Sequence, residues 1–161
     1  MKVDIRSKSF GDTPILGRIS LEIGNGEILA ITGPSGVGKT TLMRILAGLD
    51  KNFEGEVFGV GQVGFVFQEP TLLPWRNLVD NLTIVTGCTR ETALAMLDRV
   101  GLLSRADEYP DRLSLGQQRR VGLARALAVN PQTLILDEAF ASLDEATAGR
   151  MRKLVRDIVS R

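Results

Sequence analysis

The sequence predicts an α/β fold, and its apolar patterns show why. Residues 28–31 and 133–136 are short continuous apolar runs, which are typical of strands covered by helices on both faces. Residues 3–7 and 19–23 instead alternate apolar and polar side chains, as half-buried strands do, and the turn-forming residues 11–14 lie between them. We therefore expect a mainly parallel core sheet with an antiparallel β sheet at its N-terminal edge.

A helical segment separates the two continuous apolar runs. Within residues 90–100, helical spacing places five apolar side chains on one face: Ala93, Leu94, Met96, Leu97 and Val100. No internal repeat, low-complexity tract or flexible linker interrupts the chain. We predict a single domain, in which residues 1–71 and 112–161 form the α/β core and residues 72–111 form a small inserted helical subdomain.

Charge and hydrophobicity exclude several classes of protein. The 161 residues carry 20 Lys plus Arg against 19 Asp plus Glu, and a net charge of +1 gives no field that attracts nucleic acid or an anionic membrane surface. No apolar run is long enough to span a bilayer, and residues 1–10 lack the pattern of a signal peptide. The single cysteine, Cys88, cannot form an internal disulfide, which fits a reducing cytosol.

A glycine-rich segment directly follows the first apolar run. It matches the pattern G-x-x-x-x-G-K-[ST] in full and is followed by Thr41; its residues are Gly33, Pro34, Ser35, Gly36, Val37, Gly38, Lys39 and Thr40. Glycines let backbone N–H groups turn inward to a phosphate, and a helix predicted from Lys39 to Ala47 would direct its positive end at the same anion. Lys39 would then reach the β- and γ-phosphates, and the Thr40 hydroxyl would ligate Mg²⁺. The pattern predicts a P-loop NTPase core, with a ligand-free glycine-rich turn as the alternative, and by itself it indicates no more than a nucleotide.

Two adjacent carboxylates follow the second apolar run. Asp137 and Glu138 lie at the C-terminal end of the predicted strand 133–136, where open α/β sheets bind their ligands. Because successive strand residues point in opposite directions, we expect the two acids to have different roles. Asp137 would coordinate Mg²⁺, directly or through water, and Glu138 would act as the general base on the attacking water. The alternative is a solvated strand end.

A serine-capped segment lies between the glycine-rich loop and the acids. Residues 113–127 have the sequence LSLGQQRRVGLARAL, which closely resembles the signature motif of ATP-binding cassette (ABC) proteins. Ser114 and the Gly116 amide would donate hydrogen bonds to an anion at a helix N-terminus, and an ordinary Ser-capped amphipathic helix is a compatible alternative. The resemblance implies that four residues of one subunit close on the ATP held by a second copy in a head-to-tail dimer, namely Ser114, Leu115, Gly116 and Gln117.

Other motifs of the family follow in order along essentially the whole chain. Gln68 resembles the Q-loop glutamine, which touches Mg²⁺ or the attacking water and senses the membrane subunit. Ser142-Leu143-Asp144 resembles the D-loop, with Asp144 as its acid. Phe10 lies where the family has an aromatic that stacks on adenine, although a lone Phe after a strand also fits simple packing.

Three features depart from the family pattern. Leu115 replaces a signature glycine and either weakens closure on ATP or points away from it, and Ala139 replaces the proline that usually follows the glutamate, which would loosen that loop. The helix predicted from Glu145 to Val159 continues into Arg161, so the next strand of the family and its γ-phosphate histidine are missing. We expect the chain to be part of a longer protein rather than a natural short form, because losing that strand would uncover apolar surface and an unpaired sheet edge.

The resemblance implies the ATPase subunit of a membrane importer, with ATP and Mg²⁺ as its cofactors. Residues 69–78 carry the only tryptophan, Trp75, beside prolines and apolar residues. This composition suits the docking of a permease near Gln68 to Trp75, while packing of Trp75 into the helical subdomain is the alternative. The segment resembles cassettes of the nitrate, sulfonate and taurine importer group, which implies a small oxyanion or sulfonate as cargo.

The implied partners are a second copy of the chain, permease subunits and, indirectly, a solute-binding protein, at the inner face of the cell membrane and without nucleic acid. Three other functions stay open on the sequence alone. A soluble cassette protein acting on DNA or ribosomes would carry coiled-coil insertions or tandem cassettes, which this sequence does not show. A non-hydrolysing nucleotide-binding module is compatible with Leu115 and the missing histidine. A P-loop small-molecule kinase would leave the signature and the D-loop unexplained.

Overall fold

The chain divides into two units, Met1–Gly61 and a second that begins at Gln62, in a computed structural model that describes residues 1–141 and 143–159. The elements of the first unit are β1 (Lys2–Phe10), β2 (Thr13–Leu16), β3 (Ile19–Glu22), α1 (Lys39–Leu46) and β4 (Glu54–Phe58). Those of the second are β5 (Val63–Val66), α2 (Leu78–Thr86), α3 (Arg90–Arg99), 3₁₀ turns at Leu103–Arg105 and Pro110–Arg112, α4 (Leu115–Ala128), β6 (Thr133–Leu136) and α5 (Glu145–Val159). Helices with one antiparallel and one parallel sheet confirm the predicted α/β class, while the domain boundaries at residues 71 and 111 stay a prediction.

The antiparallel sheet is built around β1, which pairs with β2, β3 and β4. Burial alternates along β1, so that Val3 and Ile5 are buried while Lys2 and Asp4 face solvent. This confirms the antiparallel strands predicted for residues 3–7 and 19–23. The predicted turn over residues 11–14 is shorter than expected, because β2 already begins at Thr13. Pro14 is tolerated within β2 because β2 is an edge strand.

Helix α1 begins at Lys39, as predicted, and ends one residue before the predicted Ala47. It buries Leu42, Ile45 and Leu46, which share one face by their spacing of three and four residues. Gly48 then adopts a left-handed conformation with φ of 71°, which ends the helix and turns the chain toward Asp50.

The strand predicted for residues 28–31 is not formed. Ile28 and Leu29 are 62% and 45% exposed, so the expected burial is also wrong. A continuous apolar run becomes a central strand only where neighbouring strands satisfy its backbone N–H and C=O groups. Within the part of the chain that the structure describes, the parallel sheet consists of β5 and β6, and residues 28–31 pair with no strand.

Helices α2, α3, α4 and α5 of the second unit form its apolar core with the parallel pair β5 and β6. Leu78 and Leu82 of α2, Leu97 of α3 and Val121 of α4 are all fully buried. The apolar stripe predicted within residues 90–100 is therefore confirmed. Among the described helices, none is both long and apolar enough to cross a membrane.

Candidate functional site

The glycine-rich loop 33–38 leads directly into α1, and three of its glycines require their residue type. Gly33, Gly36 and Gly38 have φ values of 152°, 79° and 99°, a region that L side chains rarely adopt. A Cβ on Gly38 would also lie 2.6 Å from Cδ2 of Leu16 in β2. Both the backbone conformation and the packing against β2 therefore demand glycine at position 38.

The side chain of Lys39 folds back over this loop. Its Nζ donates hydrogen bonds to the carbonyl oxygens of Gly33 at 2.8 Å and Pro34 at 2.9 Å. The first turn of α1 contains no acidic residue, so the helix places no carboxylate of its own at its positive end. Ser35, Val37 and Thr40 are exposed, and Thr41 is partly buried. Backbone amides, a helix N-terminus and an ammonium group together fit a polyphosphate.

Phe10 lies at the end of β1, and its side chain is not packed away. The residue is 56% exposed, and the ammonium of Lys8 lies 4.6 Å from the centroid of its ring. Exposure of the ring fits the predicted stacking on adenine better than the packing alternative. The stacking itself stays a prediction.

The two predicted acids follow β6, which ends at Leu136. Asp137 is 4% exposed, and its N–H donates to the Val66 carbonyl at 2.9 Å, which extends the pairing of β5 with β6 by one residue. Glu138 is exposed and has a φ of 49°, unusual for a residue other than glycine. The two carboxylates thus have different surroundings, as expected, although they lie just beyond the strand.

Gln68 and Glu138 are joined by a hydrogen bond. The Gln68 Nε2 donates to Glu138 Oε2 at 3.0 Å, although the two residues are 70 positions apart. They meet because β5 and β6 run parallel, so that the residues following each strand emerge at the same edge of the sheet. Two residues that the sequence predicts separately are brought together here.

The donor set fits a magnesium ion that is bound with a nucleotide. Mg²⁺ usually takes one or two carboxylates together with substrate phosphates and water. Across residues 1–141 and 143–159, no group of three or more His, Cys, Asp or Glu side chains could enclose a metal. In the second unit, the buried carboxylate of Asp137 suits that nucleotide-dependent mode. In the first unit, the exposed Thr40 is a hydroxyl donor of the kind that mode can also use.

Ser114 caps the N-terminus of α4, as the sequence predicts. Its Oγ accepts from the Gln117 N–H at 3.3 Å, and the Gln117 Oε1 accepts from the Ser114 N–H at 2.8 Å, which forms a capping box. Arg105 Nη1 also donates to that Gln117 oxygen at 2.7 Å, which fixes the side chain. Because the Ser114 hydroxyl acts as an acceptor in this motif, its own proton is the group that can be donated to an anion. Leu115 follows at 50% exposure.

The signature and the D-loop acid line one cavity of about 310 Å³. Its walls include Ser114 to Gln117 together with Arg120 and Asp144. The Thr147 N–H donates to Asp144 Oδ1 at 2.9 Å, and this hydrogen bond holds the pKa of Asp144 below its ordinary value. Sequence reasoning assigned no role to Arg120, which lies within the signature segment and brings a cation to the cavity. Ser142 and Arg161, which also figure in the sequence predictions, lie outside the described residues.

The segment from Gln68 to Asn77, called the docking loop below after its predicted role, exposes its tryptophan. Trp75 is 68% exposed, so the alternative that it packs into the helical subdomain is wrong. Asn81 of α2 is fully buried behind the loop; its Oδ1 accepts from the Leu73 N–H, and its Nδ2 donates to carbonyls of the same loop. An asparagine on a buried helix face is the signal that sequence reasoning missed.

Arg125 of α4 holds the other end of the docking loop. Its guanidinium donates to the Thr71 carbonyl at 2.9 Å, to the Pro70 carbonyl at 3.1 Å and to Thr71 Oγ1 at 2.9 Å. The residue is 9% exposed, and its burial lowers the pKa of the guanidinium. The tryptophan is therefore presented by a loop that is braced at both ends.

Comparisons with known proteins agree with this geometry. A family model described as "ABC transporter" matches residues 16–141. An aliphatic sulfonates import ATP-binding protein, SsuB 1 of Agrobacterium fabrum, is 48% identical over 160 residues, which cover 94% of this chain and 58% of that protein. SsuB of Granulibacter bethesdensis is 48% identical over 150 residues, covering 92% of this chain and 63% of that protein. The chain thus spans about three fifths of the length of the curated relatives it matches.

A solved structure also superimposes closely on the chain. It is the dimeric structure of a post-hydrolysis state of the ATP-binding cassette MJ0796 bound to ADP and Pi. The two sequences are 30% identical, the match covers 99% of this chain and 83% of that one, and the TM-score is 0.90.

Proposed function

The chain belongs to the ABC transporter family, and we propose that it is the ATP-binding and ATP-hydrolysing part of an importer for a small sulfonate or related oxyanion. The observation that carries hydrolysis is the Gln68–Glu138 hydrogen bond, which holds a carboxylate beside the buried Asp137 at one edge of the sheet. The cargo assignment is supported by the names of relatives that are 42% to 48% identical to this chain.

Binding of ATP uses residues of the first unit. The backbone amides of residues 33–41 and the ammonium of Lys39 hold the phosphates, and Phe10 stacks on the adenine ring. When ATP binds, the Lys39 ammonium turns to the phosphates. Its hydrogen bonds to the Gly33 and Pro34 carbonyls therefore break.

Hydrolysis uses residues of the second unit. Glu138 takes a proton from the attacking water while the water oxygen bonds to the γ-phosphorus. The bond between the γ-phosphorus and the oxygen that leaves with ADP breaks at the same time, which yields ADP and phosphate. Gln68 occupies Oε2 of that carboxylate and leaves Oε1 for the water. Mg²⁺ bound with the phosphates would supply charge neutralisation; the Thr40 hydroxyl is the group of the first unit that would hold it, and the Asp137 carboxylate is the group of the second unit that would do so.

A second copy of the chain completes each site in this proposal. The cavity at Ser114 to Gln117 offers a hydroxyl, a helix N-terminus and the Arg120 cation, which suit the terminal phosphate of ATP bound by the other copy. The docking loop with Trp75 faces a permease at the inner surface of the membrane, and the permease in turn receives cargo from a solute-binding protein. The dimeric state of the solved cassette supports the pairing of copies.

Glu138→Gln tests the assigned base. We expect ATP affinity within about twofold of the parent, because the amide has the same shape, and steady-state turnover reduced by at least about 100-fold, the usual contribution of a general base. Glu91→Gln, an exposed glutamate in α3, is the matched control and should hydrolyse ATP like the parent. A Glu138→Gln protein with parental turnover would rule out the proposed mechanism.

Trp75→Ala tests the docking loop. The variant should bind ATP normally, because Trp75 lies outside the nucleotide-binding residues, but should lose co-purification with a co-expressed permease. Ile84→Ala removes another exposed apolar side chain, from α2, and serves as the control. Equal permease recovery for Trp75→Ala and the parent would contradict docking at this loop.

A further inference from the structure

Lys8 is a buried lysine beneath the ring of Phe10. Only 2% of the residue is exposed, and its ammonium contacts both oxygens of the Asp50 carboxylate, at 2.8 and 3.0 Å, and the Asn52 carbonyl at 2.5 Å. A buried ammonium is stable only when its donors are satisfied. The acceptors here all come from the short turn that follows α1.

That turn is itself fixed to the end of α1. The N–H groups of Leu49 and Asp50 both donate to the Arg44 carbonyl, and Asp50 Oδ1 accepts from the Asn52 N–H at 3.0 Å. The carboxylate therefore cannot follow Lys8 freely, and Lys8 is held at a defined place relative to the helix that begins at the glycine-rich loop. A structural ion pair between β1 and this turn would need no more than these contacts.

The third neighbour of Lys8 is the aromatic ring. Its Nζ lies 4.6 Å from the ring centroid of Phe10, within the distance at which a cation is attracted to a π face. The pairing of β1 with β2 shifts register between Lys8 and Ser9, and such an irregularity redirects the side chains beyond it. More than half of Phe10 remains exposed, so the cation covers part of the ring and leaves the rest open.

We propose that Lys8 is a positioning residue for nucleotide binding, which fixes the Phe10 ring from below so that its exposed face receives the adenine. This inference rests on the proposed function, since it assigns a role at the same nucleotide site. A ring held in place before binding loses less conformational freedom when the base stacks. A cation on one face also draws electron density from the ring, which favours stacking with an electron-rich base on the other face.

The test compares a ligand that has a base with one that has none. Dissociation constants of MgATP and of magnesium tripolyphosphate are measured for the parent, Lys8→Met and Lys8→Arg. We expect Lys8→Met to bind ATP about three- to tenfold more weakly, the range of a cation–π contact, and tripolyphosphate within about twofold of the parent. Lys8→Arg keeps the cation and should recover most of the lost ATP affinity. Lys51→Met, an exposed lysine next to Asp50, is the control and should match the parent for both ligands.

Two results would overturn the proposal. Equal weakening for ATP and tripolyphosphate would show that the ion pair only supports the fold, and unchanged ATP affinity would show that the ring needs no support. If Lys8→Met does not fold, Asp50→Asn repeats the comparison, since it keeps the shape of the carboxylate but weakens its hold on Lys8. Failure of the parent itself to bind either ligand would instead refute the proposed function.

Discussion

Replacing Asn81 with alanine should loosen the docking loop and destabilise the second unit. The Asn81 Oδ1 accepts one hydrogen bond, from the Leu73 N–H at 2.7 Å. Its amide nitrogen lies 2.9 to 3.1 Å from the carbonyl oxygens of Leu73, Arg76 and Asn77, so its two N–H groups are shared among three acceptors. Alanine at position 81 removes all of these interactions at once.

The size of the effect follows from this count. One accepted and two donated hydrogen bonds at about 1 kcal/mol each amount to about 3 kcal/mol. A fully buried side chain that shrinks leaves a small cavity, which adds to the loss, whereas loop carbonyls that regain water reduce it. We therefore expect the free energy of unfolding to fall by about 2 to 4 kcal/mol.

The only tryptophan of the chain reports on this loop directly. Urea unfolding followed by Trp75 fluorescence gives the stability, and the anisotropy of the same signal in native buffer gives the mobility of the loop, which should rise. Asn81→Asp keeps the acceptor but places a carboxylate against three carbonyl oxygens, so it should destabilise at least as much as alanine. Asn25→Ala, in an exposed turn, is the control. A loss below about 0.5 kcal/mol with unchanged anisotropy would refute the bracing role, since such a change is typical of surface substitutions.

Three further predictions concern other parts of the chain. Gly38→Ala should abolish ATP binding in a titration, because it combines a φ of 99° with a Cβ clash, whereas Gly36→Ala, with a φ of 79° but open space, should weaken binding less. The hydrogen bond from Lys8 holds the pKa of Asp50 below its ordinary 3.8. The stability that this ion pair contributes is therefore present above pH 3.8 and is lost as the pH falls through the lower pKa of the folded protein. Thermal melts from pH 5 to 2 should show this loss, and Asp50→Asn should remove the pH dependence that Asp50 causes. Arg125→Met should destabilise the protein by about 2 to 3 kcal/mol in urea, the range for hydrogen bonds to a charged group, and Arg125→Lys should not restore it, because lysine lacks the planar fork.

Local pattern was enough to predict most helices and the residues at their ends. The helix after the glycine-rich loop and the Ser114 cap follow from helix-forming and capping residues, which act within a few positions of the chain, and the helix predicted from Glu145 to Val159 is also present. The glycine loop and the acidic strand end were predicted for the same reason, since each is a local feature, whereas Gln68, Phe10 and Asp144 were predicted from the family resemblance. Their grouping was not predicted from pattern alone: Gln68 meets Glu138 only because β5 pairs with β6.

The errors and omissions have a common physical origin in long-range pairing. Residues 28–31 have the composition of a buried strand, but a strand also needs partners that no local pattern specifies. Asn81 and Arg125 were missed because most of their partners are backbone carbonyls, which every residue carries and which therefore leave no trace in the sequence. Lys8 was missed because its carboxylate partner, Asp50, lies 42 positions away along the chain. A buried polar side chain becomes informative only when the fold shows which carbonyls surround it.

Helix α4 links two features of the second unit for which functions are proposed. Its first turn lines the signature cavity, and Arg125, about 15 Å further along the helix axis, is hydrogen-bonded to the docking loop at Pro70 and Thr71. Displacement of the loop by a permease bound as proposed must either break those three partly buried hydrogen bonds or move α4 with the loop. A helix moves as a nearly rigid body, so a movement of α4 with the loop also changes the position of Ser114. The bracing arginine therefore gives the docking surface a mechanical route to the cavity proposed to receive the ATP of the other copy.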